Sequence, residues 1–149
     1  MSSAKEGQSQ ADFAAALDEM FRAVLRATGR GVPGGETELT LSQYNTLSAL
    51  GEGPSTVTAV ATVADVAPPT ATRALRALEQ RGFVERTRNA AGDGRQVTVA
   101  LTPEGSKVLA EKTDWVRARQ REIFEGLTQA QRRTAAQTLR SITEAIHEL

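Results

Sequence analysis

The chain has 149 residues, of which 40% are hydrophobic and 24% are charged, so it is long enough for one globular domain with a buried core. Its 18 basic and 18 acidic residues cancel, which argues against a non-specific nucleic-acid coat protein, and the lack of cysteine excludes disulfides and thiolate metal sites. No apolar run approaches the length of a membrane span or of the core of a signal peptide. We therefore expect a cytoplasmic protein without membrane contact.

The N-terminal part of the sequence predicts one long helix and a loop. Residues 1–10 are rich in Ser, Gln and Lys without apolar spacing, so we expect them to be disordered. A helix is predicted over Ala11–Thr28, because its apolar residues recur on one side of a helix. It ends at Gly29–Gly35, where four glycines and a proline predict a loop.

Two shorter helices are predicted next. Thr40 and Gln43 have the spacing of a capping box, which predicts a helix over about Leu41–Leu50. The segment Val57–Val63 is rich in β-branched residues and, taken alone, could be a strand. A short helix is favoured there because the turn Ala64–Ala67 and a further helix follow, as in a helix-turn-helix.

A basic amphipathic helix is predicted over Pro68–Arg81, and the rest of the chain is organised around it. Its apolar residues recur along one side at three- and four-residue steps: Ala71, Ala74, Leu75 and Leu78. Arg73 and Arg76 fall elsewhere on the helix, where a partner can reach them. The two prolines suit its first turn, and Gly82 suits the left-handed residue just past its end.

A two-stranded hairpin, the wing, is predicted after this helix. Phe83–Arg88 is a strand-like run, Asn89–Gly94 holds turn-forming residues, and Gln96–Leu101 alternates polar with apolar residues. From Pro68 to Arg95 the chain carries six arginines against three acidic residues, although the whole chain is neutral. A helix sized for the major groove beside an arginine-tipped hairpin sized for the minor groove predicts a reader of duplex DNA.

Two further helices are predicted after the wing. A long helix opens at Thr102–Pro103 and runs to about Phe124, and a capping box at Thr128–Gln131 begins the last helix. The last helix has an apolar stripe: Ala135, Leu139, Ile142, Ile146 and Leu149. These helices and Ala11–Thr28 carry more apolar surface than a small winged core needs, which predicts a helical dimerisation layer.

Three motifs in and after the wing carry a family resemblance: Gly82-Phe83-Val84-Glu85-Arg86, Asp93-Gly94-Arg95 and Leu101-Thr102-Pro103-Glu104-Gly105. In this order and spacing, they closely resemble the winged helix-turn-helix core of MarR-type transcriptional regulators. The resemblance implies a mainly α fold with a small β-wing, in which a winged helix-turn-helix is joined to a helical dimerisation layer. In this family, the helix that corresponds to Pro68–Arg81 is the recognition helix, and a serine caps its start. Ala67 stands in place of that serine, so one cap hydrogen bond is lost.

The resemblance also implies a domain organisation and a function. After the disordered residues 1–10, residues 11–149 form one MarR-like domain, with the winged helix-turn-helix lobe at about 39–101. The dimerisation helices lie at about 11–28 and 103–149. The implied function is that of a sequence-specific, homodimeric repressor of nearby genes, which binds an inverted-repeat operator in double-stranded DNA and is released by a small aromatic or phenolic ligand.

The candidate DNA-binding residues lie in the recognition helix and the wing: Pro69, Thr70, Thr72, Arg73, Arg76, Arg88, Asp93 and Arg95. The helix arginines could instead be solvated surface charges, and the threonines could serve only as helix-start residues. Arg95 could simply pair with Asp93; the family pattern implies that it does so while also reaching the minor groove.

Other functions are less favoured by the sequence. Tyr44 and Trp115 are most simply core or interface aromatics, but they could line the ligand cleft that the resemblance implies. No cofactor, metal site or enzyme activity is expected, because there is no Ser-His-Asp signature, no Gly-rich phosphate loop after a strand and only one histidine, His147. The alternative is a winged-helix module that binds proteins and no operator. Arg88 and Arg95 favour DNA, since a protein-binding wing does not need arginines at its tip.

Overall fold

The computed structural model describes residues 2–88 and 96–149, and this part of the chain is mainly helical with one small antiparallel sheet. The predicted fold class, mainly α with a small β-wing, is confirmed. The helices are α1 Ser2–Thr28, α2 Leu41–Ala49, α3 Val57–Val63, α4 Pro68–Gln80, α5 Pro103–Gly126 and α6 Gln129–His147. The strands are β1 Ser55–Thr56, β2 Val84–Arg88 and β3 Val97–Leu101. None of the described helices is long and apolar enough to span a membrane.

The chain divides into two compact units, Met1–Lys112 and Thr113–Leu149, so that α5 contributes to both. The first unit contains one hydrophobic core, built from the loop after α1, from α2, α3, α4 and the wing, and from the start of α5. Its buried apolar residues are Leu39, Leu47, Leu50, Val60, Leu75, Leu78, Phe83, Val84, Val99 and Val108. This core supports the helix-turn-helix and wing.

The start of α1 differs from the prediction. The helix begins at Ser2, so residues 2–10, which were expected to be disordered, belong to it. Ala4, Lys5 and Gln8 are strong helix formers, which accounts for a helix here without apolar spacing. Further along, most of the apolar side of α1 is exposed: Phe13 52%, Phe21 40%, Val24 49% and Leu25 71%. The single chain therefore leaves this side of α1 largely uncovered.

The second helix begins at the predicted capping box. Thr40 Oγ1 accepts a hydrogen bond from the Gln43 N–H at 3.2 Å, and Gln43 Oε1 accepts one from the Thr40 N–H at 3.0 Å. Leu47 and Leu50 then enter the core, while Tyr44 is only partly buried. The cap fixes where α2 starts, and the apolar spacing fixes which side it buries.

The helix-turn-helix consists of α3, a short turn and α4. The predicted bounds of α3, Val57–Val63, are confirmed; Thr56 Oγ1 caps the Ala59 N–H at 3.2 Å, and Val60 is fully buried. Burial and capping thus outweigh the strand propensity of the β-branched residues. Just before α3, Ser55–Thr56 pairs with β3 as a short strand that the sequence did not reveal.

The basic helix α4 packs on α2 and α3 through the predicted stripe, whose four members are all buried. The helix ends at Gln80, and Arg81 is its C-cap. Gly82 follows with φ of 76°, a left-handed conformation that glycine adopts without strain, and the Phe83 N–H donates to the Leu78 carbonyl at 2.9 Å. This turn closes α4 and directs the chain into β2.

The wing is the predicted antiparallel pair, completed by β1 in the order β1-β3-β2. Val84 lies opposite Leu101 at one end of the β2–β3 ladder, and Arg88 lies opposite Val97 at the other. The predicted turn and the residues Asp93 and Arg95 lie outside the described residues. Their pairing and their approach to DNA stay predictions.

The start of α5 is fastened to the end of α4. Thr102 Oγ1 donates to the Gly82 carbonyl at 2.6 Å and accepts a hydrogen bond from the Gly105 N–H at 3.0 Å. The Thr102 N–H also donates to the Phe83 carbonyl at 3.1 Å. A Cβ on Gly105 would lie 1.9 Å from the Phe83 carbonyl oxygen, so glycine is required at this position. The Leu-Thr-x-x-Gly motif therefore couples the recognition helix to α5.

In the second unit, α6 begins at the second predicted capping box. Thr128 Oγ1 accepts a hydrogen bond from the Gln131 N–H at 3.3 Å, and Gln131 Oε1 accepts one from the Thr128 N–H at 2.9 Å. Arg132 donates to the Phe124 and Glu125 carbonyls at 3.0 and 2.8 Å, which fixes the turn from α5. No residue of α6, all of which is described, is buried within the single chain.

Candidate nucleic-acid interface

One side of α4 is basic and exposed. Pro69, Thr70, Thr72, Arg73 and Arg76 are all exposed, whereas the apolar stripe on the other side is buried. A shallow depression of about 440 Å³ on this side is lined by Pro68, Pro69, Thr72, Arg73 and Arg76. The fold therefore gathers the predicted contact residues of α4 on one surface.

The first turn of α4 can donate one backbone hydrogen bond to an anion. Ala67, the N-cap, provides no side-chain hydrogen bond, and Pro68 and Pro69 have no N–H group. The Thr70 N–H donates to no described residue, so a phosphate oxygen could accept from it. Thr72 Oγ1 already donates to the Pro68 carbonyl at 3.0 Å, which leaves its lone pairs and its methyl group for contacts.

The arginines near the wing divide into two groups. Arg73, Arg76 and Arg88 are exposed and form no ion pair with any residue in the described ranges. Arg86 Nε instead lies 3.0 Å from a carboxylate oxygen of Glu79, which ties β2 to the last turn of α4. Arg81 also makes contacts within the protein, so fewer of these arginines are available to contact DNA than the sequence suggests.

The two predicted ligand-binding aromatics lie in different units. Tyr44 is partly buried on α2, and Trp115 is 40% exposed on α5. A cavity of about 300 Å³ in the first unit is lined by the loop after α1 and by Lys112, but not by Tyr44. A ligand site at Tyr44 and Trp115 stays a prediction.

Lys112 is a buried charged residue that the sequence analysis missed. Its side chain is 2% exposed. Burial lowers the pKa of Lys112; the carboxylates of Glu111 and Glu38 oppose this shift, and Arg81 adds to it. A signal was available, because Val108 and Lys112 are four residues apart on the buried side of α5.

Comparisons with known proteins agree with this fold. The MarR family model matches residues 37–96. Streptococcus pneumoniae FabT, solved in complex with DNA, matches with a TM-score of 0.76 and 20% identity over 93% of this chain and 98% of that one. Bordetella bronchiseptica BpsR matches with a TM-score of 0.69 and 22% identity, over 89% of this chain and 98% of that one. Lactococcus lactis ZitR, solved in complex with DNA, matches with a TM-score of 0.67 and 21% identity, over 89% of this chain and 97% of that one.

No curated protein matches the sequence significantly. The family model nevertheless covers the helix-turn-helix and part of the wing, and the three solved structures share the fold over most of the chain. The prediction that the chain is not an enzyme is confirmed, because the matching family consists of transcriptional regulators. The helix-turn-helix and part of the wing, residues 37–96, thus match the MarR family, and the fold of the chain is the MarR-type winged helix.

Proposed function

We propose that the protein binds double-stranded DNA sequence-specifically as a homodimer in the cytoplasm and represses nearby genes. The observation that carries this proposal is the exposed face of α4. Arg73 and Arg76 extend from a helix whose other side is fixed in a core, and no carboxylate of the described residues neutralises them. Cations held this way can reach base edges and phosphates without first breaking an ion pair.

Each part of the lobe has a distinct role in this proposal. The exposed face of α4 enters the major groove, where Arg73 reads a base edge and the Thr70 N–H binds a phosphate. Arg88, at the end of β2, brings a positive charge to the wing, which contacts the neighbouring minor groove. The solved complexes of FabT and ZitR with DNA support this role for the shared fold.

The homodimer is supported by uncovered apolar residues on the helices that flank the lobe. Phe13 and Leu25 on α1, Ile123 and Phe124 on α5, and Leu139 on α6 are all exposed in the single chain. A second copy of the chain would cover them, and its two-fold symmetry would place two recognition helices on one face of the duplex, roughly 34–36 Å apart. The operator would then be an inverted repeat.

Release by a small aromatic or phenolic ligand completes the proposal. The structural relative BpsR is described as having its DNA binding regulated by 6-hydroxynicotinic acid, which is a small aromatic molecule. In this chain Tyr44 and Trp115 are the proposed ligand contacts. A ligand that binds better to a conformation with misplaced recognition helices would lower DNA affinity by shifting the population toward it.

The proposal is tested by selecting duplexes from a random library and from DNA that flanks the gene. We expect enrichment of an inverted repeat that binds one dimer, measured by fluorescence anisotropy together with sedimentation. Recovery of no preferred sequence would favour the alternative, a winged-helix module that binds proteins. A footprint on one asymmetric half-site with a single bound monomer would contradict the symmetric arrangement.

The wing is tested by two substitutions. Arg95→Ala should weaken binding to all sequences and reduce the slope of log affinity against log salt by about one phosphate contact. Asp93→Ala should have a similar but milder effect if Asp93 holds the Arg95 guanidinium in place. Tighter binding by the Asp93 variant would show that the two residues do not pair.

A further inference from the structure

Arg81, the C-cap of α4, is exposed like Arg73 and Arg76, but it lies in line with the packed stripe and not on their side of the helix. It follows Ala74 and Leu78 at the four- and three-residue steps of the packed stripe. In the sequence, Arg81 is one of the six arginines between Pro68 and Arg95. Its position beside the packed stripe nevertheless brings its guanidinium within reach of other groups of the protein.

The Arg81 guanidinium makes two contacts within the first unit. Its Nη1 donates to the Glu38 carbonyl at 2.8 Å, 43 positions earlier in the chain. Its Cζ lies 4.9 Å from the centroid of the Phe83 ring, which is 8% exposed. A guanidinium that is both hydrogen-bonded and stacked is held in one orientation.

The carbonyl that accepts this hydrogen bond belongs to a segment fixed to the core. Glu38 precedes Leu39, which is 2% exposed and whose carbonyl accepts the Val32 N–H at 2.8 Å. Gly31 packs so closely against this hydrogen-bonded pair that a Cβ at position 31 would lie 2.7 Å from the Leu39 carbonyl oxygen. Arg81 therefore joins the end of α4 to a rigid part of the scaffold.

The same end of α4 is held from a second direction by Thr102, which donates to the Gly82 carbonyl. At the opposite end, the N-cap Ala67 adds no side-chain hydrogen bond. The orientation of α4 is thus fixed mainly by its packed stripe and by the contacts around Arg81 and Gly82.

We propose that Arg81 is a positioning residue for DNA recognition: it does not touch DNA, and it fixes the end of α4 so that Arg73 and Arg76 meet their targets in the groove. Base-edge hydrogen bonds depend steeply on distance and angle, whereas attraction to the phosphate backbone tolerates small shifts. Loss of the Arg81 contacts therefore reduces the preference for the operator over other DNA. This role rests on the proposed function.

The test compares Arg81→Gln, Arg81→Lys and the wild type, with Lys107→Gln as a control that removes one exposed cation from α5. Binding to the selected operator and to a scrambled duplex is measured over a series of salt concentrations. Circular dichroism first establishes a temperature at which all variants are folded. A purely structural effect would lower the active fraction on both duplexes equally, so the ratio of the two affinities is the decisive readout.

We expect Arg81→Gln to lower the ratio of specific to non-specific affinity by about tenfold, the size expected for loss of one hydrogen bond to a charged group, with an unchanged salt slope. Arg81→Lys, whose side chain is longer than that of glutamine and ends in a cationic donor for the Glu38 carbonyl, should restore most of that ratio, and Lys107→Gln should leave it unchanged. A salt slope lower by about 0.9 with equal losses on both duplexes would mean that Arg81 contacts a phosphate and would overturn the proposal. An unchanged ratio would overturn it too. If the wild type prefers no duplex, the proposed function fails first, and the role of Arg81 fails with it.

Discussion

The helices α4 and α6 are both amphipathic, yet only α4 covers its apolar side within the chain. The four apolar residues of the α4 stripe are buried, while α6 has no buried residue and leaves Leu139 55% and Ile146 39% exposed. An apolar stripe therefore predicts that a side will be covered but does not say by what. The apolar side of α4 is covered by other helices of the same chain, and we propose that the apolar side of α6 is covered by a second copy of the chain.

The largest expected effect comes from removing a packed residue of α4. Leu78 is fully buried, so Leu78→Ala should lower the free energy of unfolding by about 2–5 kcal/mol through lost burial and the cavity left behind. Urea denaturation measures this change. Val63→Ala on α3, where the side chain is 68% exposed, is the control and should change stability by less than about 0.5 kcal/mol. A small effect at Leu78 would mean that α4 is not packed as described.

Charged substitutions on α6 should break the dimer instead of the fold. The double variant Leu139→Glu and Ile146→Glu places two carboxylates on the exposed apolar side, so we expect a monomer in sedimentation velocity, or an insoluble protein. Gln137→Glu adds a carboxylate on the other side of α6 and should leave the dimer intact. A dimer that survives the double substitution would remove α6 from the interface.

The two ends of α5 should respond differently to the same change. Gly105→Ala brings a Cβ against the Phe83 carbonyl and should cost about 1–3 kcal/mol of unfolding free energy. Gly126→Ala meets no heavy atom within 4 Å and should be close to neutral. Thermal denaturation of the two variants compares them directly. Equal stability of both would show that the backbone near Phe83 yields easily.

The smallest expected effect is on pH dependence. Burial lowers the folded-state pKa of Lys112, so between that value and the ordinary lysine pKa the unfolded chain binds more protons than the folded one. Stability should therefore rise with pH across this window in the wild type, and Lys112→Met should lack that rise. Lys107→Met, at an exposed position, should retain it. Parallel curves of unfolding free energy against pH for wild type and Lys112→Met would show that Lys112 is not desolvated when folded.

Features that depend on neighbouring residues could be read from the sequence. The capping boxes at Thr40 and Thr128 and the stripe of α4 rely on spacings of three or four residues, and the structure reproduces them. The bounds of α3 required the context of a helix-turn-helix, because its β-branched composition alone favours a strand.

Features that depend on distant residues could not be read in this way. Arg81 donates a hydrogen bond to the Glu38 carbonyl, 43 positions earlier in the chain. Arg86 forms an ion pair with Glu79 across the turn into the wing. The burial of Lys112 and the pairing of Ser55–Thr56 with β3 also arise only when separate segments pack together. Composition therefore overestimated the positive charge available to DNA.

The most direct test of the central claim is the binding of wild type and Arg73→Ala to a selected operator and to its single-base variants. We expect the wild type to discriminate among these duplexes and Arg73→Ala to lose about 1–3 kcal/mol, with relaxed preference at particular base pairs. Unchanged discrimination in Arg73→Ala, or equal affinity of the wild type for every duplex, would contradict recognition of DNA by the exposed face of α4.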